Sequence, residues 1–250
     1  NPQANSTGIS HGIMVEVLKN GQFAYAASSD MSIDSIQQAI DKAIIIAESS
    51  SENPLYNFSQ DVRPNNKGHY TSDRNKTQLP LKEINDILFK SYEALKVSDK
   101  IVSASAMARI TETNYQYLSS DGANIEQDFL IIGSSFDAIA QDKGITQRRT
   151  DNGRGRMFQS GYEVFDEFEL TNMCQRIGSQ AIELLSAEEC PTETTNLVLA
   201  PDQMLLQIHE SIGHPLEVDR ILGDERNYAG WSFVREEDFG NLKYGSDIMN

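Results

Sequence analysis

Histidine and cysteine are scarce here, with four and two copies in 250 residues. Two cysteines, Cys174 and Cys190, cannot build a disulfide framework, which excludes the small stapled scaffolds that depend on one. They fit a reducing compartment. No apolar run approaches the roughly 20 residues that a membrane-spanning helix needs. The tightest cluster, Ala43 to Ala47, falls inside an amphipathic pattern. No secretory leader is visible, so a cytoplasmic location is expected. Positive charge is also short: 21 Lys and Arg stand against 37 Asp and Glu, a net charge of -16, with a pI near 4.6. An acidic surface repels nucleic-acid phosphates and anionic lipid heads, which argues against either partner. The first residue is Asn1 rather than Met and Asn250 follows no stop signal, so the chain reads as a fragment.

What is present is patterned. The hydrophobic share of 39% suffices for a real core. Residues 13–19 read as a strand, Asn20-Gly21 as a two-residue hairpin turn, and Gln22 to Ser28 as the returning strand. Ser32 can cap a helix to about Ser50, with Ile33, Ile36, Ile40, Ala43 and Ala47 at helical spacing. Residues 51–78, holding Pro54, Pro64 and Gly68, read as loop. Pro80 opens a second helix through Lys96, with Leu81, Ile84, Leu88 and Leu95 on one face. Ile101 to Arg109 and Glu112 to Ser119 are candidate strands, Asp121-Gly122 is a turn, and Asn124 to Gln141 is a long strand or a bent pair. Gly144 to Arg156 leads from a strand into a loop. A helix is expected from about Asp166 to Glu188, facing inward through Phe168, Ile177, Ala181 and Leu184. Pro191 breaks the chain, Leu197 to Leu199 forms a short strand, and Asp202 caps a helix that carries Met204, Leu205 and Ile208 into His209. This order predicts an α+β fold, antiparallel sheets with flanking helices. A boundary near Cys190-Pro191 would separate an N-terminal α+β domain, 1–189, from the start of a second, metal-binding domain, 190–250.

The segment with the most chemistry is His209-Glu210-Ser211-Ile212-Gly213-His214. Zinc takes neutral imidazoles from fixed positions, and a Glu beside the first His can take a proton from water. In the short zinc-peptidase motif the two His lie four apart on one helix face. Here they lie five apart, and on a regular helix that leaves them about 140° out of line. Gly213 and Pro215 weaken helical geometry just there. The spacing therefore predicts a helix that loses regular bonding, or widens into a π-type turn, between Ser211 and Pro215, with Gly213 absorbing the distortion. The plain alternative is that both His are ordinary core or surface residues.

The surroundings resemble a known family. Leu197-Val198-Leu199-Ala200-Pro201, the His209–His214 motif with Pro215-Leu216-Glu217 and Asp219, Gly230 to Phe233, and Tyr244-Gly245-Ser246-Asp247 are similar to the TldD/PmbA metallopeptidases. The early hairpin and helix and the Ser119-Ser120-Asp121-Gly122 turn look similar too. In that family the TldD-type subunit carries the His-Glu-x-x-x-His motif and the PmbA-type partner lacks it, so this chain looks TldD-like. The resemblance implies zinc ligands at His209 and His214, Glu210 as general base, and a third ligand, a Cys far downstream of Asn250. It also implies a dimer, with itself or with a PmbA-like subunit, enclosing the site in a chamber that admits extended chains.

Other polar residues carry weaker signals. Glu217 and Asp219 are either orienting partners for a ligand imidazole or solvated loop carboxylates. Arg148, Arg149, Arg154 and Arg156 could receive a peptide carboxylate, with a solvated or internally paired strand face the plainer reading. Cys174 is expected to pack inside its helix, and His11 and His69 to be exposed. Trp231 and Phe233 are expected in core packing, or along a cleft. The functional expectation is a zinc-dependent peptidase acting on peptides or unfolded polypeptides through metal-activated water and Glu210. The alternatives are a non-enzymatic peptide-binding or scaffolding subunit of the same kind of assembly, and a regulator of DNA topology, against which the acidic charge speaks.

Overall fold

Asn20 and Gly21 both take positive φ, 52° and 75°, as a two-residue turn between right-twisted strands requires. A computed structural model of the chain describes residues 5–54, 56–59, 61, 64–71, 78–153 and 155–248. In it the turn joins β1 (Ile13–Lys19) to β2 (Gln22–Ser28), paired antiparallel from Ile13↔Ser28 to Lys19↔Gln22. The helix α1 (Ile33–Ser50) follows, its N-cap Ser32 accepting from the Ser35 N–H. Its buried line is Ala39, Ala43 and Ala47, and Ala39 and Ala43 pack with Ala26, Val15 and Val17 of the hairpin. Small residues at four-residue spacing let helix and hairpin approach closely. Ile33, expected in that stripe, is 85% exposed, because it sits one turn before the hairpin is reached.

The larger sheet is organised by one strand, β5 (Asn124–Asp142). Along one edge it pairs antiparallel with β4 (Ile101–Leu118), a continuous strand where the residue pattern suggested two. Polar residues Thr111 and Glu112 do not interrupt it, since each keeps a partner, Ile131 and Leu130. Along the other edge three short strands follow one another. They are β3 (Lys67–Thr71), parallel to Asn124–Asp128, then β7 (Arg156–Phe158), then β6 (Ile145–Thr150), both antiparallel. The parallel β3 lies in the segment read as loop. Its Lys-Gly-His-Tyr-Thr sequence is exposed throughout and carries no apolar alternation, so only the backbone marks it as a strand.

Two helices cover one face of this sheet. They are α2 (Leu81–Leu95) and α3 (Glu167–Glu183), the latter capped by the Asp166 carboxylate and ending in a tighter turn, Leu184–Ser186, short of the expected Glu188. Leu95, Ile101, Phe136, Ala138, Ala140, Met173, Cys174, Ile177 and Ala181 form the main core. Ile84, Leu130, Ile132, Tyr162 and Phe165 form a second cluster. Leu81 and Phe168, expected inward, are 56% and 75% exposed, and their neighbours Leu79 and Leu170 pack against the second cluster instead.

The chain divides into two compact units, Asn1–Ser186 and Ala187–Asn250. The second unit contains α4 (Pro201–Ile208) and the short α5 (Val218–Leu222). Its helix α4 starts on Pro201 after the N-cap Ala200, so Asp202 sits inside the first turn rather than at the cap. The expected strand Leu197–Leu199 has no regular structure. A strand needs a hydrogen-bonding edge, and Leu197 and Val198 are 79% and 92% exposed instead. Among the described residues of this unit Val234 is the one buried apolar side chain.

Gly178 marks where α3 meets the end of α2. A Cβ there would stand 2.2 Å from the Leu95 carbonyl oxygen, a backbone atom that cannot swing away. Alanine would gain about 1 kcal/mol in helix propensity, but overpacking costs about 1–3 kcal/mol, and contact this close puts the cost at the upper end. Gly178→Ala should therefore lower the thermal midpoint, by about 2–4 °C for each kcal/mol lost. A midpoint at or above wild type in a calorimetric scan would show that the two helices can separate at no cost.

Candidate metal centre

Beyond Ile208 the α-helix gives way to a π turn, His209–Gly213, and then to a 3-10 turn, His214–Leu216. The His214 N–H donates to the His209 carbonyl, five residues back. That bond does for a five-residue spacing what the α-helical bond does for four: it sets the two residues one above the other. The imidazole centroids are 4.4 Å apart with planes at 77°. One donor atom each from His209, Glu210 and His214 lie within 4.8 Å of one another. The widening begins two residues earlier than the spacing suggested, at the first His itself.

Gly213 is not what absorbs the distortion. Its φ and ψ are -59° and -63°, ordinary right-handed values that any residue adopts. Beyond the turn's own adjacent backbone, the nearest atom to an added Cβ would be the Ile208 carbonyl oxygen at 4.0 Å. The change of pitch is shared along the turn, since His209 and His214 also keep right-handed backbones.

Glu217 holds the second imidazole. Its Oε1 lies 2.9 Å from His214 Nδ1, and its other oxygen is ion-paired with Arg220 Nε. A carboxylate only accepts, so Nδ1 carries the proton and the Nε2 lone pair is left for a ligand. The hydrogen bond to His214, with Arg220 beside it, holds the Glu217 carboxyl below the usual carboxylate range. Glu210 approaches from the opposite side, Oε2 standing 3.7 Å from Nε2, beyond hydrogen-bond reach. Two imidazoles converging in this way fit a divalent ion that takes nitrogen donors, with the Glu210 carboxylate close beside it. Asp219 does not join them, because its Oδ1 accepts from the Arg220 N–H at the start of α5.

The remaining candidates lie elsewhere. Cys174 is fully buried in the main core, and burial pushes its thiol up to about 12, so the sulfur stays protonated and packs as an apolar group. Cys190 is exposed. The basic cluster is internally paired: Arg148 with Asp137, Arg149 with Gln180, and Arg156 with Asp151. Arg154 lies outside the described residues. His11 is exposed, and His69, also exposed, meets Asp128 at 2.6 Å. Trp231 and Phe233 are 70% and 63% exposed rather than in a core. Trp231 lies under the Arg226 guanidinium at 5.3 Å, and Phe233 against the Tyr244 ring at 5.5 Å.

Two hydroxyls next to the turn, Ser232 and Tyr244, fall in segments that carry the family resemblance, but the residue pattern assigned neither a role. Tyr244 donates to the Ser211 carbonyl at 2.6 Å, and Ser232 to the Pro215 carbonyl at 2.5 Å. Pro215 was the available signal. It has no N–H for the carbonyl four residues back, which is that of Ser211.

The backbone values at Gly213 predict that Gly213→Ala leaves divalent-metal affinity within about threefold of wild type, because neither strain nor contact opposes a methyl group. A loss of tenfold or more in a chelator competition would show that the turn needs glycine.

Comparison with known proteins bears on the chain as a whole. Residues 1–47 match the PmbA/TldA metallopeptidase domain 1, and residues 74–185 match the PmbA/TldA metallopeptidase central domain. A metalloprotease of Methanocaldococcus jannaschii is 24% identical over 225 residues, covering 88% of this chain and 48% of that protein. A metalloprotease of Methanothermobacter thermautotrophicus is 25% identical over 222 residues, covering 88% and 47%. The chain thus spans about half the length of the curated relatives it matches. A Thermotoga maritima structure described as a candidate modulator of a DNA gyrase superposes with a TM-score of 0.54 at 15% identity, over 73% of this chain and 39% of the other. TldE from Thermococcus kodakarensis superposes with a TM-score of 0.45 at 13% identity, over 68% and 37%. The two matched domains account for most of the first 185 residues, and on them the chain belongs to the TldD/PmbA family of metallopeptidases.

Proposed function

We propose that the protein is a zinc-dependent peptidase acting on peptides or unfolded polypeptides, with His209 and His214 as ligands and Glu210 as general base. The observation that carries this reading is the convergence of the three donors within 4.8 Å across a spacing that a regular helix would splay apart. Membership of a metallopeptidase family supports it. A cysteine from the part of the relatives' length that this chain does not span completes the ligand set in this proposal. When bound, zinc polarises a carbonyl and makes water more acidic.

The chain's own residues supply the rest. Glu217 and Arg220 fix the His214 ring and its tautomer. Glu210 is 59% exposed in its side chain and makes no hydrogen bond to His214, so its oxygens can reach a water at the site. As general base it takes a proton from that water and passes it to the leaving amine. Among the described residues no helix is long and apolar enough to cross a membrane. A cytoplasmic setting and a dimer, with itself or with a PmbA-like subunit, belong to the same proposal. The net charge of -16 disfavours direct contact with nucleic acid.

Two measurements on the intact protein test the roles. His209→Ala and His214→Ala should each abolish tight zinc binding, and unchanged zinc content in the double variant would remove the assignment. Glu210→Gln should keep the zinc and lose peptide hydrolysis by at least about 100-fold, the scale of a missing general base. Turnover near wild type in that variant would place the base elsewhere.

A further inference from the structure

A π turn leaves its backbone short of partners, and a proline follows two residues after this one ends. In a regular helix the Ser211 carbonyl would accept from the N–H four residues on, but that residue is Pro215 and has none. An orphaned carbonyl beside the ligands would favour solvent and a looser turn. Here the Tyr244 hydroxyl, 33 residues along the chain, donates to it at 2.6 Å. The Pro215 carbonyl accepts from the Ser232 hydroxyl at 2.5 Å. Ser232 is itself held on two sides. Its Oγ accepts from the Val234 N–H at 2.9 Å, and its own N–H donates to the Arg220 carbonyl at 3.3 Å. Tyr244 is held by its ring against Phe233. The two hydroxyls thus grip carbonyls on either side of the Gly213-His214 peptide.

We propose that Tyr244 and Ser232 are positioning residues of the metal centre: their hydroxyls clamp the π turn and thereby fix the distance between the His209 and His214 imidazoles. The proposal rests on the reading of those two histidines as ligands. Each hydroxyl is engaged by a backbone carbonyl, Tyr244 by that of Ser211 and Ser232 by that of Pro215. Each acts through a backbone carbonyl, and so through the placement of His214.

The test uses the intact protein and its Tyr244→Phe, Ser232→Ala and Ser232→Thr variants. Zinc affinity is read by chelator competition, and ligand geometry by the visible absorption of the cobalt-substituted form. Tyr244→Phe and Ser232→Ala should each weaken zinc binding by about 10–100-fold, the range for groups that orient ligands from outside the metal's own shell, and both should change the cobalt bands. Ser232→Thr, which keeps the hydroxyl, should restore affinity and spectrum together. Wild-type zinc affinity and an unchanged cobalt spectrum in both Tyr244→Phe and Ser232→Ala would overturn the clamp while leaving the ligands in place. A fall in thermal midpoint without either metal effect would overturn it as well, reducing the hydroxyls to fold stabilisers. Wild-type protein that binds zinc no better than the His209→Ala, His214→Ala double variant would overturn the metal assignment itself.

Discussion

The hydrogen bond from the His214 N–H to the His209 carbonyl decides where two imidazoles stand. In an α-helix, five residues carry a side chain about 140° around the axis, and two rings so placed have no common neighbour. Widening the turn by one residue removes most of that angle and leaves the rings 4.4 Å apart. The cost is backbone irregularity: a helix end that cannot satisfy its own carbonyls and must draw donors from elsewhere. Pro215 sharpens the demand by withholding one N–H, and residues from Ser232 to Tyr244 answer it. Motif, proline and the later segment form one local device, which gives a physical reason for them to occur together in one short stretch.

The first unit is built on a different constraint, the length of β5. Nineteen residues in one strand offer two edges. One is taken by β4 for nearly its whole length and the other by β3, β7 and β6 in turn. One face then receives α2 and α3, with Phe136, Leu130 and Ile132 filling the space between sheet and helices. Side chains buried this fully contribute about 1.5–3 kcal/mol each, so removing this layer would be felt throughout the unit. Gly178 shows how tight the fit is, since the backbone of one helix occupies the place where another residue's Cβ would stand.

Much of this was legible in the residues. Asn20-Gly21, Ser32, Pro80 and Asp166 mark turns and helix starts by chemistry that does not depend on tertiary context, and the structure places elements at each. The period of apolar residues identified the helices but overreached at Ile33, Leu81 and Phe168. A stripe read from sequence does not know where its packing partner begins. Lys67–Thr71 escaped because a strand held only by backbone pairing leaves no side-chain pattern. Leu197–Leu199 erred in the opposite sense: its pattern fits a strand, but a strand exists only with an edge to bond. At the site, the spacing of His209 and His214 together with Pro215 led to the π turn, while Gly213 drew attention for a conformation it does not adopt. Tyr244 and Ser232 stayed hidden because their role is set by a contact across 33 and 17 residues of chain.

Glu210 and Glu217 lie on opposite sides of the same imidazole, and their surroundings differ in ways that bear on the roles proposed for them. Glu217 accepts from Nδ1 at 2.9 Å and is tied to Arg220, so leaving that position would break a charge-assisted pair and free the ring to rotate. Its carboxyl is held below the usual range by those partners, which keeps it an acceptor and makes it a poor carrier of protons. Glu210 stands 3.7 Å from Nε2, on the side where the lone pair points. It is near enough to the donors to share a site with them and too far to be occupied by the imidazole. A group that must take up and release a proton has to be free to do both, while a group that orients a ligand must do neither. Residue type alone does not distinguish the two glutamates; in the function proposed above, the distances to His214 and the presence of Arg220 do.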